Sequence, residues 1–239
     1  MENLINMLFP PKCVFCGAIG DVFCDNCISN CNILRDQVCL LCDRPSTDGN
    51  THPSCLGDVV SRVSDKSIVQ DTIPSQSLSV FVYENNVREC IRKSKYSSRI
   101  FMCLKRLAFE GVNILFEWGY DFKDYIVVPI PVSKEKEKLR GFNQADIISK
   151  YFSKRFDLQV DKSLLTRIKD KHAQHNLTRK ERFENVKGAF VSKKEVSGKR
   201  IVLVDDICTT GATFVEASKS LYEAGALDVK CFSLSKKLI

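Results

Sequence analysis

Residues 199–225 read KRIVLVDDICTTGATFVEASKSLYEAG, and the order of their chemistry leaves few folds open. Ile201 to Val204 form an uninterrupted apolar run, the mark of a strand buried on both faces of a parallel sheet. Asp205 and Asp206 stand at its carboxyl end, which is where open α/β sheets bind ligands. Thr209-Thr210-Gly211-Ala212-Thr213 then turns the chain into a helical segment with Gly225 as its C-cap. Small residues let several N–H groups converge on one point, and Gly211 permits close approach and an unusual φ. The helix that follows adds its positive end, and the result is a phosphate cradle. The hydroxyls of Thr209, Thr210 and Thr213 add donors. Two carboxylates beside a phosphate repel it unless they face another part of the same ligand, and vicinal ribose hydroxyls suit them. The stretch therefore asks for a ribose 5-phosphate. No Gly-Lys-Ser/Thr is present, so it is not a P-loop.

The rest of the second half repeats the strand–helix alternation. LSVFVY (78–83) reads as a strand, VRECIRKSKY and RIFMCLKRLAFEGVNILFEW as helices, and YIVVPIP (125–131) as a strand entering a proline-stiffened loop. NQADIISKYFSKRF resumes helical spacing with Ala145, Ile148, Tyr151 and Phe152 on one face, and VKCFSLS reads as a last strand. Such alternation predicts an α/β fold with a mostly parallel sheet flanked by helices.

The first quarter has a different logic. Eight of the twelve cysteines lie from Cys13 to Cys55, and all but Cys31 fall at x-x spacing: Cys13/Cys16, Cys24/Cys27 and Cys39/Cys42, followed by His52/Cys55. Each x-x spacing makes a tight knuckle with two ligands, and two knuckles complete a zinc tetrahedron. Sequential pairing gives one site from Cys13, Cys16, Cys24 and Cys27 and a second from Cys39, Cys42, His52 and Cys55. A cross-braced pairing is the alternative. A piece of about 55 residues with few large apolar side chains needs metal to hold its fold, so the zinc is structural. Cys31 is a spare, and Cys90, Cys103, Cys208 and Cys231 fall in core stretches that predict buried thiols. The expected division is a module over 1–57, a polar linker over 58–77 and an α/β domain over 78–239.

Charge is uneven. Residues 133–200 hold 19 Lys+Arg against 9 Asp+Glu, +10 in a chain whose total is +7. A region of that kind favours an anionic partner, a phosphorylated small molecule or a nucleic acid backbone. MENLINMLFPPK reads as a short amphipathic turn with Leu4, Ile5 and Leu8 on one side, not as an export leader, and no apolar run reaches bilayer length. A cytoplasmic chain without membrane insertion is the expectation.

Four blocks, FPPKCVFC, VPIPVSKEKEKLRGFNQA, QHNLTRKERFENVKGAF and VLVDDICTTGAT, in this order resemble the ComF family of competence proteins (the ComFC/GntX-like group). The last block looks like the phosphoribosyl pyrophosphate (PRPP) signature of type I phosphoribosyltransferases. The resemblance implies a type I phosphoribosyltransferase fold behind an N-terminal zinc-ribbon module. It implies that PRPP binds with Mg²⁺ at Val204, Asp205, Asp206, Cys208, Thr209, Thr210, Gly211, Ala212 and Thr213, and at the loop residues Pro129, Ile130, Pro131 and Val132. Asp205 and Asp206 then hold the ribose, while Lys138 and Arg140, on a basic loop hinged at Gly141, draw off pyrophosphate. Gln174, Leu177, Thr178, Arg182, Asn185, Val186, Gly188 and Phe190 fit the third block, with Thr178 and Glu181 as a capping box and Asn143 as a helix cap. His172 and His175 sit nearby. In IRKSKYSSR, Lys95 and Tyr96 match relatives, whereas Ser94, Ser97 and Ser98 depart from them. The resemblance also implies a role in natural transformation, with single-stranded DNA and a ComFA-like helicase as partners. Two functions stay open: phosphoribosyl transfer, and nucleic-acid handling in which PRPP only regulates.

Overall fold

The computed structural model describes residues 10–56, 72–94, 98–169, 178–192 and 196–238. In chain order its elements are α1 (Asp25–Ser29), β1 (Gln76–Val82), α2 (Asn85–Ser94), α3 (Ser98–Glu117), β2 (Tyr125–Pro129), α4 (Lys134–Arg140), α5 (Gln144–Phe156) and β3 (Leu165–Arg167). There follow α6 (Arg179–Val186), β4 (Phe190–Ser192), β5 (Arg200–Cys208), α7 (Ala212–Glu223) and β6 (Asp228–Lys236).

The apolar run of β5 explains the architecture. A strand buried on both faces belongs in the middle of a covered parallel sheet, and β5 has β2 on one edge and β6 on the other. With β1 beyond β6 the order is β1-β6-β5-β2, and every pair is parallel. Alternate residues of β5 feed different cores. Val202 and Val204 pack with Leu104, Leu107, Ile148, Phe152 and Phe232, the side covered by α3 and α5. Ile201 and Leu203 pack with Phe214, Ala217 and Leu221 of α7. The result is the α/β sandwich expected from the sequence. A short antiparallel pair, β3 with β4, stands apart from the sheet. Among the described residues, no helix is long and apolar enough to cross a membrane.

Helix α3 comes unusually close to the sheet at Gly111. A Cβ there would lie 2.6 Å from Leu234 Cδ1 and 2.9 Å from Phe81 Cε2. The residue without a side chain sets the spacing of the layers.

The cysteine-rich segment is stitched onto the exposed edge of β1. Leu34 N–H donates to Val80 O at 2.7 Å, Val82 N–H to Asn32 O at 2.9 Å, and Thr51 N–H to Ser75 O at 3.0 Å. The buried Gln37 side chain adds two more, donating to Ser79 O and accepting from Ser79 N. An uncovered edge invites pairing with other chains, and this module closes it. Cys13, Phe23, Cys27 and Cys31 join the same apolar cluster as α3.

Three expectations need correction. Strand β1 starts at Gln76, not at 78, because the polar Gln76 and Ser77 find partners in Lys230 and Cys231 of β6. Strand β5 does not end at the aspartates. It runs on to Cys208, since β6 is long enough to pair Ile207 with Ser235 and Cys208 with Lys236. The basic segment read as a loop is the helix α4. Its Lys, Glu, Leu and Arg residues are strong helix formers, Ser133 caps it by accepting from Lys136 N, and Gly141 ends it at φ 75°. Glutamates fill its first turn and Lys138 and Arg140 its last, which suits the helix dipole.

The caps at Asn143 and Thr178 form as expected. Asn143 accepts from Ala145 N, and Thr178 and Glu181 make a reciprocal capping box. Cys31, Cys90, Cys103, Cys208 and Cys231 are buried free thiols. Leu4, Ile5, Leu8, residue 57 and the linker residues 58–71, Lys95, Tyr96, Ser97, His172, Gln174, His175 and Leu177 lie outside the described residues.

Candidate functional site

At the carboxyl end of the sheet, Asp206 is buried and Asp205 half-buried. Consecutive strand residues leave on opposite sides, so the two carboxylates flank the strand end. Asp205 Oδ1 accepts from Asp206 N–H at 2.8 Å, which fixes its rotamer. Burial, and then the Asp206 charge, push the Tyr83 phenol above its usual range.

Three residues later the chain makes its turn. Gly211 has φ 79° and no side chain caps α7, whose first amide groups are left to a ligand or to water. Thr210 and Ala212 are buried, and Thr209 and Thr213 are partly exposed. Cys208 is buried and its thiol is pushed up by that burial, so it supplies backbone and not a nucleophile.

The facing loop is held by the backbone. Pro129 pairs with Val204, and Ile130 N–H donates to Val204 O at 2.8 Å. Asn143 Nδ2 donates to Ile130 O at 2.9 Å. Ile130 is buried, while Pro131 is partly exposed. Lys138 is exposed and Arg140 partly so, and neither has an ion-pair partner among the described residues.

Beneath the turn lies a set of charges that sequence reasoning missed. Lys236, the last residue of β6, is 2% exposed. Its ammonium donates to Thr209 O at 2.7 Å and lies 2.6 Å from Asp43 Oδ1. Arg179 Nη1 reaches Asp43 Oδ2 at 2.7 Å, and Arg179 Nη2 donates to the carbonyls of Leu40 and Leu41. Arg182 Nη1 donates to Thr209 Oγ1 at 3.4 Å. Two cations against one carboxylate leave net positive charge under the turn, which favours an anion above it.

The cysteines form two sequential four-ligand clusters, Cys13-Cys16-Cys24-Cys27 and Cys39-Cys42-His52-Cys55, each with its donor atoms within 4.8 Å of one another. Antiparallel bridges Lys12↔Ile19 and Val38↔Pro45 close the first knuckle of each. Cys16 Sγ and Cys24 Sγ are 3.5 Å apart, and His52 Nδ1 is 3.4 Å from Cys42 Sγ and 4.0 Å from Cys55 Sγ. A tetrahedral zinc ion holds such ligands about 3.5–3.8 Å apart, so the donor sets fit. His52 Nε2 lies 3.1 Å from Pro45 O, and donation there leaves Nδ1 as the ligand atom.

The thiols show the same strain. Burial raises Cys13, yet backbone hydrogen bonds from Cys24, Cys16 and Phe15 outweigh it and bring it down to about 6. Burial opposes Cys42 likewise, and Arg44 outweighs it, again to about 6. Cys27 and Cys55 are pushed up by burial first and neighbouring thiols next, Cys55 to about 11. Four donors this close cannot all ionise unless a cation joins them.

Comparison with known proteins agrees with this geometry. Residues 4–56 match the family model of the double zinc ribbon domain, and residues 138–238 match that of the phosphoribosyl transferase domain. The DNA utilization protein YhgH of Escherichia coli K12 is 31% identical over 207 residues, 84% of this chain and 91% of that protein. The chain belongs to the ComF family. Competence protein ComFC of Bacillus subtilis is 29% identical over 88% of this chain and 82% of its own length. Competence protein F of Haemophilus influenzae is 35% identical over 46% of this chain, a match that spans only 49% of that protein. The ComF fold is thus a phosphoribosyltransferase-type sheet with helices on both faces and zinc-ribbon knuckles against its edge.

Proposed function

We propose that this ComF protein binds PRPP at the carboxyl end of β5 and acts in natural transformation as a phosphoribosyltransferase-type protein of the cytoplasm. The observation that carries the reading is one continuous unit: Asp205 and Asp206 on the strand, then a left-handed glycine and a helix start that no side chain caps. In this reading the carboxylates accept hydrogen bonds from the ribose 2- and 3-hydroxyls. The backbone from Thr209 to Thr213, with its hydroxyls, donates to the 5-phosphate, and the charge of Lys236, Arg179 and Arg182 below adds to its attraction. Lys138 and Arg140, at the end of α4, meet the pyrophosphate beside Pro129, Ile130 and Pro131. Mg²⁺ bound with PRPP would supply positive charge to the pyrophosphate beside Lys138 and Arg140. Catalysis is positioning and charge stabilisation, with the acceptor supplied by the substrate. Both ribbon clusters would hold structural zinc.

A second reading has its own support. The charge of +10 over residues 133–200, and a relative whose name is DNA utilization protein, favour contact with single-stranded DNA. A ComFA-like helicase would then be the partner, and PRPP a regulatory ligand.

The two readings separate in one set of measurements. PRPP with Mg²⁺ is titrated into the full, zinc-loaded chain by calorimetry, and pyrophosphate release is followed with a panel of bases and with DNA. Binding that disappears in Asp205→Ala and Asp206→Ala, with acceptor-stimulated release, supports transfer. Single-stranded DNA affinity that falls steeply with salt and survives Asp205→Ala supports the second reading. No PRPP binding by the unmodified chain removes the first.

A further inference from the structure

We infer that Asp43 is a positioning residue through which the second zinc knuckle sets the phosphate loop, so that metal binding at Cys39, Cys42, His52 and Cys55 controls the loop's geometry. As a statement about PRPP affinity this rests on the function proposed above; as a statement about the loop it does not.

The knuckle and the loop are far apart in sequence, yet they touch directly at Leu40 and are joined through two cations held by Asp43. Leu40, between the first two ligands, is 1% exposed and lies directly on Gly211: a Cβ on Gly211 would be 2.7 Å from Leu40 Cδ1 and 2.9 Å from Leu40 O. Asp43 follows the ligand Cys42, and its N–H donates to Cys39 O at 3.0 Å, closing the knuckle turn at φ 57°. Its carboxylate then faces two cations, Lys236 at 2.6 Å and Arg179 at 2.7 Å. Each cation carries the contact onward. Lys236 donates to Thr209 O at 2.7 Å. Arg179 begins α6, whose Arg182 donates to Thr209 Oγ1.

The direction of control follows from burial. Lys236 is nearly inaccessible, and a buried ammonium without its carboxylate is strongly disfavoured. It must leave the pocket or lose its proton, and the bond to Thr209 O weakens either way. Asp43 can hold its place only while the knuckle keeps its shape, and a small ribbon of this kind keeps its shape through metal. The sequence of dependence is metal, knuckle, Asp43, Lys236, loop.

The test uses the full zinc-loaded chain without ligand. Deuterium exchange is followed on the peptide spanning Thr209 to Phe214, with bound zinc counted in the same sample. Asp43→Asn should speed exchange there about tenfold while both zinc ions stay bound, and Asp43→Glu should recover part of the loss. Lys236→Met, which leaves the knuckle untouched, should loosen the same peptide, and the double variant should be no looser than the worse single variant. Chelation of zinc should loosen it too. Wild-type exchange in Asp43→Asn with zinc in place, or additive loosening in the double variant, overturns the inference. If Asp43→Asn sheds zinc, Lys236→Met decides: unchanged exchange overturns the inference, and loosening with zinc retained supports it. In parallel, PRPP with Mg²⁺ should bind Asp43→Asn about tenfold more weakly than wild type. A wild-type chain that fails to bind PRPP refutes the proposed ligand, and the exchange data still decide the inference.

Discussion

Gly211→Ala tests the contact between the ribbon and the strand–loop–helix unit more sharply than any change of charge. The alanine would have to hold φ 79°, a left-handed conformation that costs an L-residue roughly 1–2 kcal/mol. Its Cβ would stand 2.7 Å from Leu40 Cδ1, 2.8 Å from Leu40 Cγ and 2.9 Å from Leu40 O. Carbon atoms prefer about 3.5–4.0 Å, so Leu40 must retreat by about 1 Å, and overpacking of that kind costs about 1–3 kcal/mol. The single variant should therefore lose about 2–5 kcal/mol. Leu40→Ala alone empties a buried site and should cost about 2–5 kcal/mol. In the double variant the two closest clashes vanish, while the φ strain and the carbonyl contact remain. The combined loss should fall short of the sum by about 1–2 kcal/mol.

Urea unfolding of the zinc-saturated chain measures this, followed by the fluorescence of Trp118, the single tryptophan, and by circular dichroism. Additive losses, to within about 0.5 kcal/mol, would mean that Leu40 does not cover Gly211, and the coupling of ribbon to loop would lose its steric basis. PRPP affinity adds an independent reading, since Gly211→Ala should abolish binding and Leu40→Ala in the same chain should restore little of it. The φ strain sits in the loop itself and no neighbour can relieve it.

Two further outcomes follow from the rest of the fold. Gly111→Ala should lower Tm by about 2–4 °C, because a Cβ 2.6 Å from Leu234 Cδ1 outweighs the ~1 kcal/mol gain in helix propensity by about 1 kcal/mol; a rise in Tm would show that the layers have room. Thr178→Ala should cost α6 about 1 kcal/mol, seen as faster amide exchange over Arg179–Val186. The same cap gives a pH dependence of known sign. The Thr178 N–H, and then its hydroxyl, hold the Glu181 carboxyl below its ordinary range. A depressed folded value means that the cap contributes above the unfolded pKa and is lost as pH falls through the folded one. The Thr178 amide resonance should titrate below an ordinary glutamate, and a midpoint above it would contradict the capping box.

What was legible in the sequence is what nearest neighbours dictate. Ile201 to Val204 announce a doubly buried strand because no polar residue interrupts them, and Gly211 announces a turn because only that residue is comfortable at φ 79°. The cysteine spacing announces knuckles because two ligands on one turn must be about that far apart. The misreadings share a cause as well. Gln76 and Ser77 look like linker until β6 offers them partners, and α4 looks like a loop because its charge draws more notice than its helix-forming side chains. Lys236 was invisible for a related reason. A lysine near the end of a chain reads as solvated, and only a carboxylate brought in from residue 43 makes its burial tolerable. Leu40, Asp43, Arg179 and Lys236 meet through contacts between distant segments, which no local pattern encodes.

The strand order explains why one small module can do both of its jobs. β1 is an edge strand of the sheet, and β6 lies between it and β5. A segment that covers β1 at Val80 and Val82 is therefore only one strand away from the end of β6, where Lys236 sits, and two from the turn after β5. The first ribbon cluster packs into the core beside α3, and the second is carried over the carboxyl end, where Leu40 and Asp43 reach the loop. Edge protection and loop support are then a single geometric solution. It follows that the isolated sheet domain is a poor stand-in for the whole chain. Without the module, β1 would expose its unpaired edge, Gly211 would lose the wall that Leu40 provides, and Lys236 would be left with Thr209 O and no carboxylate. Failure of such a fragment to hold a ribose phosphate would thus reflect the missing ribbon, not the chemistry of Asp205 and Asp206.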